Sequence, residues 1–197
     1  MKKGKFIVIY GINNLGKTTQ ARLLVKNLKR NRLKAEYVKY PVYNLEPAGP
    51  LINGYLRKSN PYKFSAREVQ LLHFIDRIKF EPILEKKLNH GVNIIAEDYF
   101  GTGVCWGIGG GVDKNLLFHL YKFVKKEDLV LLFDGKRFTH SIEEGHRNET
   151  DSLLIDKVRK AHLMAGKKFG WKKLNANLPL KKIENEVWEI VKKFLKL

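Results

Sequence analysis

Eight residues near the amino terminus carry the most specific chemical signal in the chain. Gly11 to Thr18 read Gly-Ile-Asn-Asn-Leu-Gly-Lys-Thr and fit the phosphate-binding pattern G-x-x-x-x-G-K-[ST]. In such a loop the glycines let the backbone approach phosphate closely, and the N–H groups at the start of the next helix surround it. The Lys17 ammonium can reach the β- and γ-phosphates, and the Thr18 hydroxyl can ligate Mg²⁺. The pattern therefore predicts a nucleotide site, whereas the alternative is a glycine-rich turn that fits by accident.

Two adjacent carboxylates, Glu97 and Asp98, follow an apolar run that reads as a buried strand. In open α/β sheets, ligands bind beyond the carboxyl ends of the strands, and the phosphate loop occupies such an end. Carboxylates there can hold Mg²⁺ directly or through water. We expect at least one of them to do so, and the alternative is an acid that caps a helix or a turn.

The elements that must position these groups alternate along the chain. Candidate strands cover residues 5–10, 35–40, 92–97, 129–134 and 171–176, and helical stretches cover 17–30, about 49–58, 65–89, 113–125, 151–167 and 179–196. This alternation indicates an α/β protein with a five-stranded parallel sheet and helices on both faces, the three-layer P-loop NTPase fold. Two segments are predicted as loops. Residues 101–111, with six glycines, could line a ligand, and the polar residues 135–150 could form a mobile lid.

The composition limits the class of protein. Of 197 residues, 44% are hydrophobic and 29% are charged, which fits one folded domain over residues 1–197. No apolar stretch approaches the ~20 residues that cross a bilayer. Because Met1 to Gly4 lead straight into the first strand, we expect this start not to be a signal peptide. The single cysteine, Cys105, excludes an internal disulfide and a multi-cysteine zinc site. We therefore expect a cytoplasmic protein without membrane contact.

The net charge of +18 leaves two interpretations open. A basic protein can bind nucleic acid, or its lysines can form a solvated surface around a site for an anionic substrate. Because the lysines are spread along the chain without one long cluster, we favour the second. A nucleotide-dependent nucleic-acid-binding protein remains the alternative from a different class.

Phosphate loops also serve GTPases, so the kind of enzyme needs a second signal. Asp98 to Gly101 imitates the D-x-x-G switch of GTPases, but no N-K-x-D or T-K-x-D guanine-reading motif occurs. The small size and the basic lid segment favour a kinase that acts on a small acceptor.

Further motifs follow the loop in a fixed order along nearly the whole chain. They are Tyr40-Pro41, the segments 71–77 and 93–99, the residues Thr102 and Trp106, His146-Arg147-Asn148-Glu149, and the segment 175–180. In this order they resemble the thymidylate kinases, a family of nucleoside monophosphate kinases. The resemblance implies transfer of the ATP γ-phosphoryl group to dTMP with Mg²⁺, in a homodimer that binds small nucleotides.

The resemblance also implies roles for individual residues. The catalytic residues would be Lys17, Glu97 and Arg147, the last delivered by the lid, with Arg137 and Lys136 as substitutes. ATP would be bound by Gly11, Asn14, Gly16, Lys17, Thr18 and Thr19. Mg²⁺ would be held by Thr18, Glu97 and Asp98. The acceptor would be bound by Asn13, Tyr40, Pro41, His73, Phe74, Arg77, Asp98, Tyr99, Thr102 and Trp106.

The match is divergent on the acceptor side. The family has an acid at Asn13, a base-stacking phenylalanine at His73 and an arginine at Asp98, and no arginine lies between Arg32 and Arg57. Phe74 is one place along, and one residue turns a helical side chain by about 100°. Arg77 is then the main remaining anchor for the acceptor phosphate, helped by Lys39. Three interpretations stay open: dTMP bound by a rearranged pocket, another nucleoside monophosphate, or a weakly active kinase.

Overall fold

A five-stranded parallel sheet forms the centre of the protein. The computed structural model describes residues 2–138, 140, 147 and 150–197. The strands are β1 Phe6–Tyr10, β2 Ala35–Lys39, β3 Asn93–Glu97, β4 Leu129–Asp134 and β5 Lys172–Asn175. Their order across the sheet is β2-β3-β1-β4-β5, and every neighbouring pair is parallel. The predicted fold class is confirmed.

Helices cover both faces of this sheet. They are α1 Lys17–Arg30, α2 Ala48–Arg57, α3 Ala66–Asn89, α4 Phe100–Gly109, α5 Lys114–Leu120, α6 Ser152–Phe169 and α7 Leu180–Leu195, with a 3-10 turn at Tyr121–Phe123. Alternate residues of β1 point to opposite faces. Ile7 and Ile9 pack with α1 and α7, whereas Phe6 and Val8 pack with α3 and α4. Because helices cover both faces of this central strand, every residue of β1 is buried, and nearly all of them are apolar.

The glycine-rich segment 101–111 is mainly a helix, so its prediction as a loop is wrong. The α4 helix runs to Gly109, and its glycines lie where neighbours come very close. A Cβ on Gly107 would lie 2.7 Å from Leu117 Cδ1, and one on Gly109 would lie 2.5 Å from Val158 Cγ2. Tight packing between helices thus overrides the low helix propensity of glycine.

The long helix α3 has two different sides. It begins with a capping box, in which Ser65 and Glu68 bond to each other's backbone N–H groups. Asp76 and Arg77 are buried at its middle. Its other side carries apolar residues that are 38–40% exposed: Leu71, Ile75 and Ile78. None of the helices among the described residues is long and apolar enough to span a membrane.

Candidate active site

The turn after β1 has the backbone that a phosphate loop needs. Gly11 has φ +142° and Gly16 has φ +74°, and a Cβ on Gly11 would lie 2.5 Å from the Phe133 carbonyl oxygen. Glycine is therefore required at the first position. Asn14 also adopts a left-handed conformation, with φ +62°, which asparagine tolerates better than most residues. α1 starts at Lys17 with no acidic residue in its first turn, so its N-terminal N–H groups and dipole favour an anion.

The Lys17 ammonium lies inside this turn. It donates to the carbonyl oxygens of Gly11 at 2.9 Å and Ile12 at 2.7 Å, and Lys17 is 4% exposed. Its Nζ also lies 3.5 Å from Asp98 Oδ1. A buried cation with three oxygens nearby, at the start of α1, suits a polyphosphate.

Glu97, the last residue of β3, is held by donors on both of its carboxylate oxygens. Oε2 accepts hydrogen bonds from Thr18 Oγ1 at 2.8 Å and from Tyr37 Oη at 2.6 Å, and Oε1 lies 3.5 Å from Lys39 Nζ. Burial opposes ionisation, but the charges of Lys17 and Lys39 and the two hydrogen bonds lower the pKa of Glu97 below its usual value. Glu97 is therefore a fixed carboxylate at neutral pH.

Asp98 interacts with both the Lys17 ammonium and the Glu97 carboxylate. Its φ of +61° is left-handed, and its Oδ1 accepts from Thr102 Oγ1 at 3.0 Å as well as facing Lys17. Burial and the Glu97 carboxylate raise the pKa of Asp98, and they outweigh the opposing charge of Lys17. A carboxyl that ionises with difficulty beside a carboxylate is a typical place for a cation to bind.

A cleft of about 540 Å³ continues from the phosphate loop between α3 and α4. One wall is a helical stripe on α3, and the other is a helical stripe on α4. The α3 stripe consists of Ala66, Val69, Gln70, His73 and Arg77, and the α4 stripe of Thr102, Gly103, Trp106 and Gly110, the residue that follows the helix. Although its conformation was predicted incorrectly, the glycine-rich segment does border the cleft.

Four of the five N–H groups of Arg77 already face partners within the protein, so they are unavailable to a ligand. Nη1 contacts the backbone oxygen and Nδ1 of His73 and lies 3.3 Å from Asp76 Oδ2. Nη2 donates to the carbonyl oxygens of Asp98 at 3.0 Å and Tyr99 at 3.4 Å. Only Nε is without a partner among the described residues. Arg77 therefore fixes α3 to the corner that follows β3.

Comparison with known families decides the class of this site. The family model for thymidylate kinase matches residues 9–187, which include the phosphate loop, both carboxylates and both cleft stripes. The chain belongs to the thymidylate kinase family. Its members are ATP-dependent phosphotransferases, and the resemblance seen in the motifs is confirmed.

Individual relatives match along most of their length. The thymidylate kinase of Dictyostelium discoideum is 26% identical over 193 residues, covering 96% of this chain and 86% of that protein. The human thymidylate kinase is 27% identical over 195 residues, covering 94% and 89%. The solved structure of thymidylate kinase from Candida albicans superposes with a TM-score of 0.77, covers 97% of this chain and 92% of its own, and is 22% identical. At that identity the structural likeness supports the fold alone.

Most residues that the thymidylate kinase resemblance assigned do meet at this cleft. The cleft is bordered by Asn13, Asn14, Gly16, Lys17, Thr18, Thr19, Tyr40, Pro41, His73, Arg77, Glu97, Asp98, Thr102 and Trp106. Gly11 lies behind the loop and contributes its carbonyl oxygen to Lys17.

Two residues assigned to the acceptor do not border the cleft, because both pack against the hydrophobic core. Phe74 packs against Phe100 with ring centroids 5.8 Å apart, since its position on α3 turns it toward α4 and away from the cleft. Tyr99 is fully buried, and its ring packs edge-on against Phe6 and Tyr40. Phe74 therefore does not replace the stacking phenylalanine that the family has at the position of His73.

The lid motif lies largely outside the described residues. His146, Asn148 and Glu149 are not described, nor are Thr139 and Ser141–Gly145. Arg147 is exposed, and its backbone N–H donates to the Leu56 carbonyl oxygen at 2.9 Å. Its guanidinium lies 4.7 Å from the ring centre of Tyr55. Because Tyr55 and Leu56 both border the cleft, Arg147 lies beside the rim.

The cleft residues that sequence reasoning missed include Gln70, Tyr43, Tyr55 and Arg57. Gln70 could have been found, because it lies three residues before His73 and one helical turn places the two on the same face. Arg57 lies over the Tyr43 ring at 4.6 Å and donates from Nη1 to Asn53 Oδ1 at 3.0 Å. It occurs 16 positions after Pro41 in the sequence, so only the fold of the α2 segment brings it to the site.

Proposed function

We propose that this chain transfers the γ-phosphoryl group of ATP to the 5′-phosphate of dTMP and releases ADP and dTDP. One observation carries the proposal. The groups that can grip a triphosphate, Lys17 and Thr18, share one end of the sheet with Glu97 and Asp98, and the cleft opens from that end between α3 and α4. Donor phosphates and a smaller nucleotide can therefore meet end to end.

The reaction needs positioning and charge neutralisation more than covalent chemistry. An oxygen of the acceptor phosphate bonds to the γ-phosphorus while the bond to the β–γ bridging oxygen breaks, so the electron pair leaves with ADP. Lys17 can exchange its contacts with the loop carbonyl oxygens for phosphate oxygens near that leaving group. The rigid loop and α1 hold the donor, so the reacting groups are aligned before the transfer.

The donor set at the end of β3 fits Mg²⁺. It offers the Thr18 hydroxyl and the carboxylates of Glu97 and Asp98, and hard oxygen ligands of this kind, with phosphate and water, are what Mg²⁺ prefers. When bound, Mg²⁺ would neutralise charge on the β- and γ-phosphate oxygens. Tyr37 and Lys39 orient Glu97 for this role by holding its two oxygens.

Lys39 and Arg57 are the cations best suited to bind the acceptor phosphate. Both border the cleft, and Lys39 Nζ lies 3.5 Å from Glu97, next to the position of the donor phosphates. Arg77 is less suited, because its terminal nitrogens are engaged by His73, Asp76 and the backbone after β3. Lys39 and Arg57 would together replace the arginine that the family has soon after its Phe-Pro turn.

Arg147 would supply the charge that stabilises the transition state. Position 14 of the phosphate loop is asparagine, so the loop itself offers no arginine, and Arg147 lies beside the rim at Tyr55. A donor brought in by closure of residues 135–150 would act where charge develops on the transferring group.

The assembly is proposed to be a homodimer formed through α3. Leu71, Ile75 and Ile78 lie along one side of that helix and are each 38–40% exposed, an apolar stripe that a second copy would cover. Sedimentation should then give a dimer in the wild type and a monomer in Ile75→Lys.

A cytoplasmic location remains a prediction from the sequence.

The proposal is tested by measuring ADP formation with ATP, Mg²⁺ and each common nucleoside monophosphate. We expect dTMP to be turned over fastest, and Lys17→Met to reduce the rate by at least about 100-fold. Lys193→Met, an exposed lysine on α7, is the matched control and should match the wild type. Faster turnover of another monophosphate would replace dTMP as the acceptor. ATP consumption that needs DNA and no monophosphate would favour the nucleic-acid-binding alternative.

A further inference from the structure

The imidazole of His73 contacts Arg77 and borders the cleft. Arg77 Nη1 is 2.9 Å from His73 Nδ1, and His73 borders the cleft beside Gln70. The family has a phenylalanine at this position, so a polar ring here is a feature of this chain.

The contact with Arg77 fixes the hydrogen on the ring. A guanidinium can only donate, so Nδ1 must present its lone pair, and the hydrogen of the neutral ring is then on Nε2. Burial, and then the charge of Arg77, lower the pKa of His73 well below its ordinary value of 6.5. Among the described residues, no group hydrogen-bonds Nε2. His73 is therefore a neutral ring whose remaining polar atom is a donor.

The order of residues along α3 indicates which part of the acceptor meets this donor. Arg77 contacts the corner at Asp98, whose carboxylate faces Lys17 of the phosphate loop. His73 lies one helical turn farther from that corner, and Gln70 lies nearly another turn away. A nucleotide with its phosphate near the loop thus presents its base to His73 and Gln70.

We propose that His73 selects the acceptor base by donating its Nε2 hydrogen to a carbonyl group on the base edge opposite the sugar. The inference rests on the proposed function and adds the chemical class of the base. The 4-oxo group of thymine or uracil accepts this hydrogen bond. The 4-amino group of cytosine is itself a donor there, so two donors would face each other unpaired. Gln70 cannot make this distinction alone, because an amide can turn to donate or to accept.

The test compares kcat/KM for dUMP and dCMP, which differ at position 4 of the base. We expect the wild-type enzyme to prefer dUMP, and the ratio to fall about tenfold in His73→Phe. That variant keeps a flat ring and restores the family's residue, but it removes the donor. In His73→Gln the amide can also accept, so the ratio should fall through a gain in dCMP turnover. An unchanged ratio in both variants would overturn the inference.

A second measurement is independent of turnover. Nitrogen-15 NMR of the histidine rings, with the His73 signals identified by their loss in His73→Phe, should show a hydrogen on Nε2 and none on Nδ1 at neutral pH. A hydrogen on Nδ1 would overturn the inference. Turnover of dTMP with an unaltered dUMP-to-dCMP ratio removes only this inference, whereas no turnover of any monophosphate removes the proposed function as well.

Discussion

The Lys17 ammonium and the Asp98 carboxylate face each other across 3.5 Å at the mouth of the phosphate loop. The family has an arginine at the position of Asp98, so the local charge is reversed in this chain. The same carboxylate oxygen accepts a hydrogen bond from Thr102. Asp98 thus contacts Lys17 on the donor side of the cleft and Thr102 of α4 on the acceptor side.

Removing the charge of Asp98 should weaken the use of magnesium. We expect Asp98→Asn to raise the Mg²⁺ concentration for half-maximal rate by about tenfold or more. Asparagine tolerates the left-handed backbone and can still accept from Thr102. Titrating Mg²⁺ at saturating ATP measures the effect. Thr102→Val removes the hydrogen bond but leaves the carboxylate, and should shift the titration less. A normal Mg²⁺ titration in Asp98→Asn would exclude Asp98 from the metal site.

Arg147 should act on the chemical step. We expect Arg147→Ala to lower kcat by about 100- to 1,000-fold, because a donor to the developing charge is lost, while the KM for ATP changes little. Steady-state kinetics with ATP and dTMP separate the two constants. Arg137→Ala is the comparison, since Arg137 precedes the lid motif. A larger kcat loss in Arg137→Ala would transfer the role to that residue.

Arg57 should act on acceptor binding. We expect Arg57→Gln to raise the KM for dTMP about 10- to 100-fold and to leave the KM for ATP unchanged, since a charge-assisted contact to phosphate contributes about 1.5–3 kcal/mol. Arg67→Gln is a matched control, because Arg67 is exposed at the start of α3 and does not border the cleft. Equal effects of the two variants would mean that only the overall charge matters.

His162 should make the fold less stable in mild acid. Burial lowers the pKa of His162 to about 4, although Nδ1 bonds to the Val158 carbonyl oxygen at 2.9 Å. Between pH 6.5 and 4 the unfolded chain binds a proton that the folded chain does not, so stability falls as pH falls through that range. From pH 7 to pH 5 this loss is about 2 kcal/mol.

Urea unfolding measures this loss directly. In His162→Asn, which has no titrating group, the free energy of unfolding should fall by about 2 kcal/mol less over the same pH step than in the wild type. Other titrating groups cancel in the difference between the two proteins. The same pH dependence in both proteins would show that the fold does not lower the pKa of His162.

Two glycines should respond in opposite directions to alanine. A Cβ on Gly109 would lie 2.5 Å from Val158 Cγ2 and 3.2 Å from its backbone nitrogen, so Gly109→Ala should destabilise the fold by about 1–3 kcal/mol. On Gly54 of α2 no atom lies within 4 Å of the added Cβ, so Gly54→Ala should stabilise by about 0.5–1 kcal/mol. Thermal unfolding compares them. Destabilisation by Gly54→Ala would mean that α2 needs this glycine's flexibility.

The parts of the fold that depend on local pattern were predictable from the sequence. The apolar run of β4 and the helical period of α1 predicted both elements with their observed bounds, 129–134 and 17–30. α4 was missed because its glycines pack closely against Leu117, 10 positions after Gly107, and Val158, 49 positions after Gly109, and no pattern within the segment shows those contacts. A glycine run has the same local signature in a loop and in a tightly packed helix.

The site was predictable where a motif fixes both spacing and backbone, as in the phosphate loop. It was less predictable where one helical step decides the outcome. His73 and Phe74 are neighbours in sequence, but one borders the cleft and the other packs on Phe100. No sequence motif pointed to Arg57 as a site residue, because its approach to Tyr43 arises from the fold of α2.

The enclosure of Lys17 also determines how the protein would respond to chemical labelling. The chain carries 38 lysine and arginine residues, and most lysine amines are open to acylating reagents. Lys17 is 4% exposed, and its amine is occupied by two carbonyl oxygens. It should therefore be among the last amines to be modified, well after the half-exposed Lys39 at the same end of the sheet.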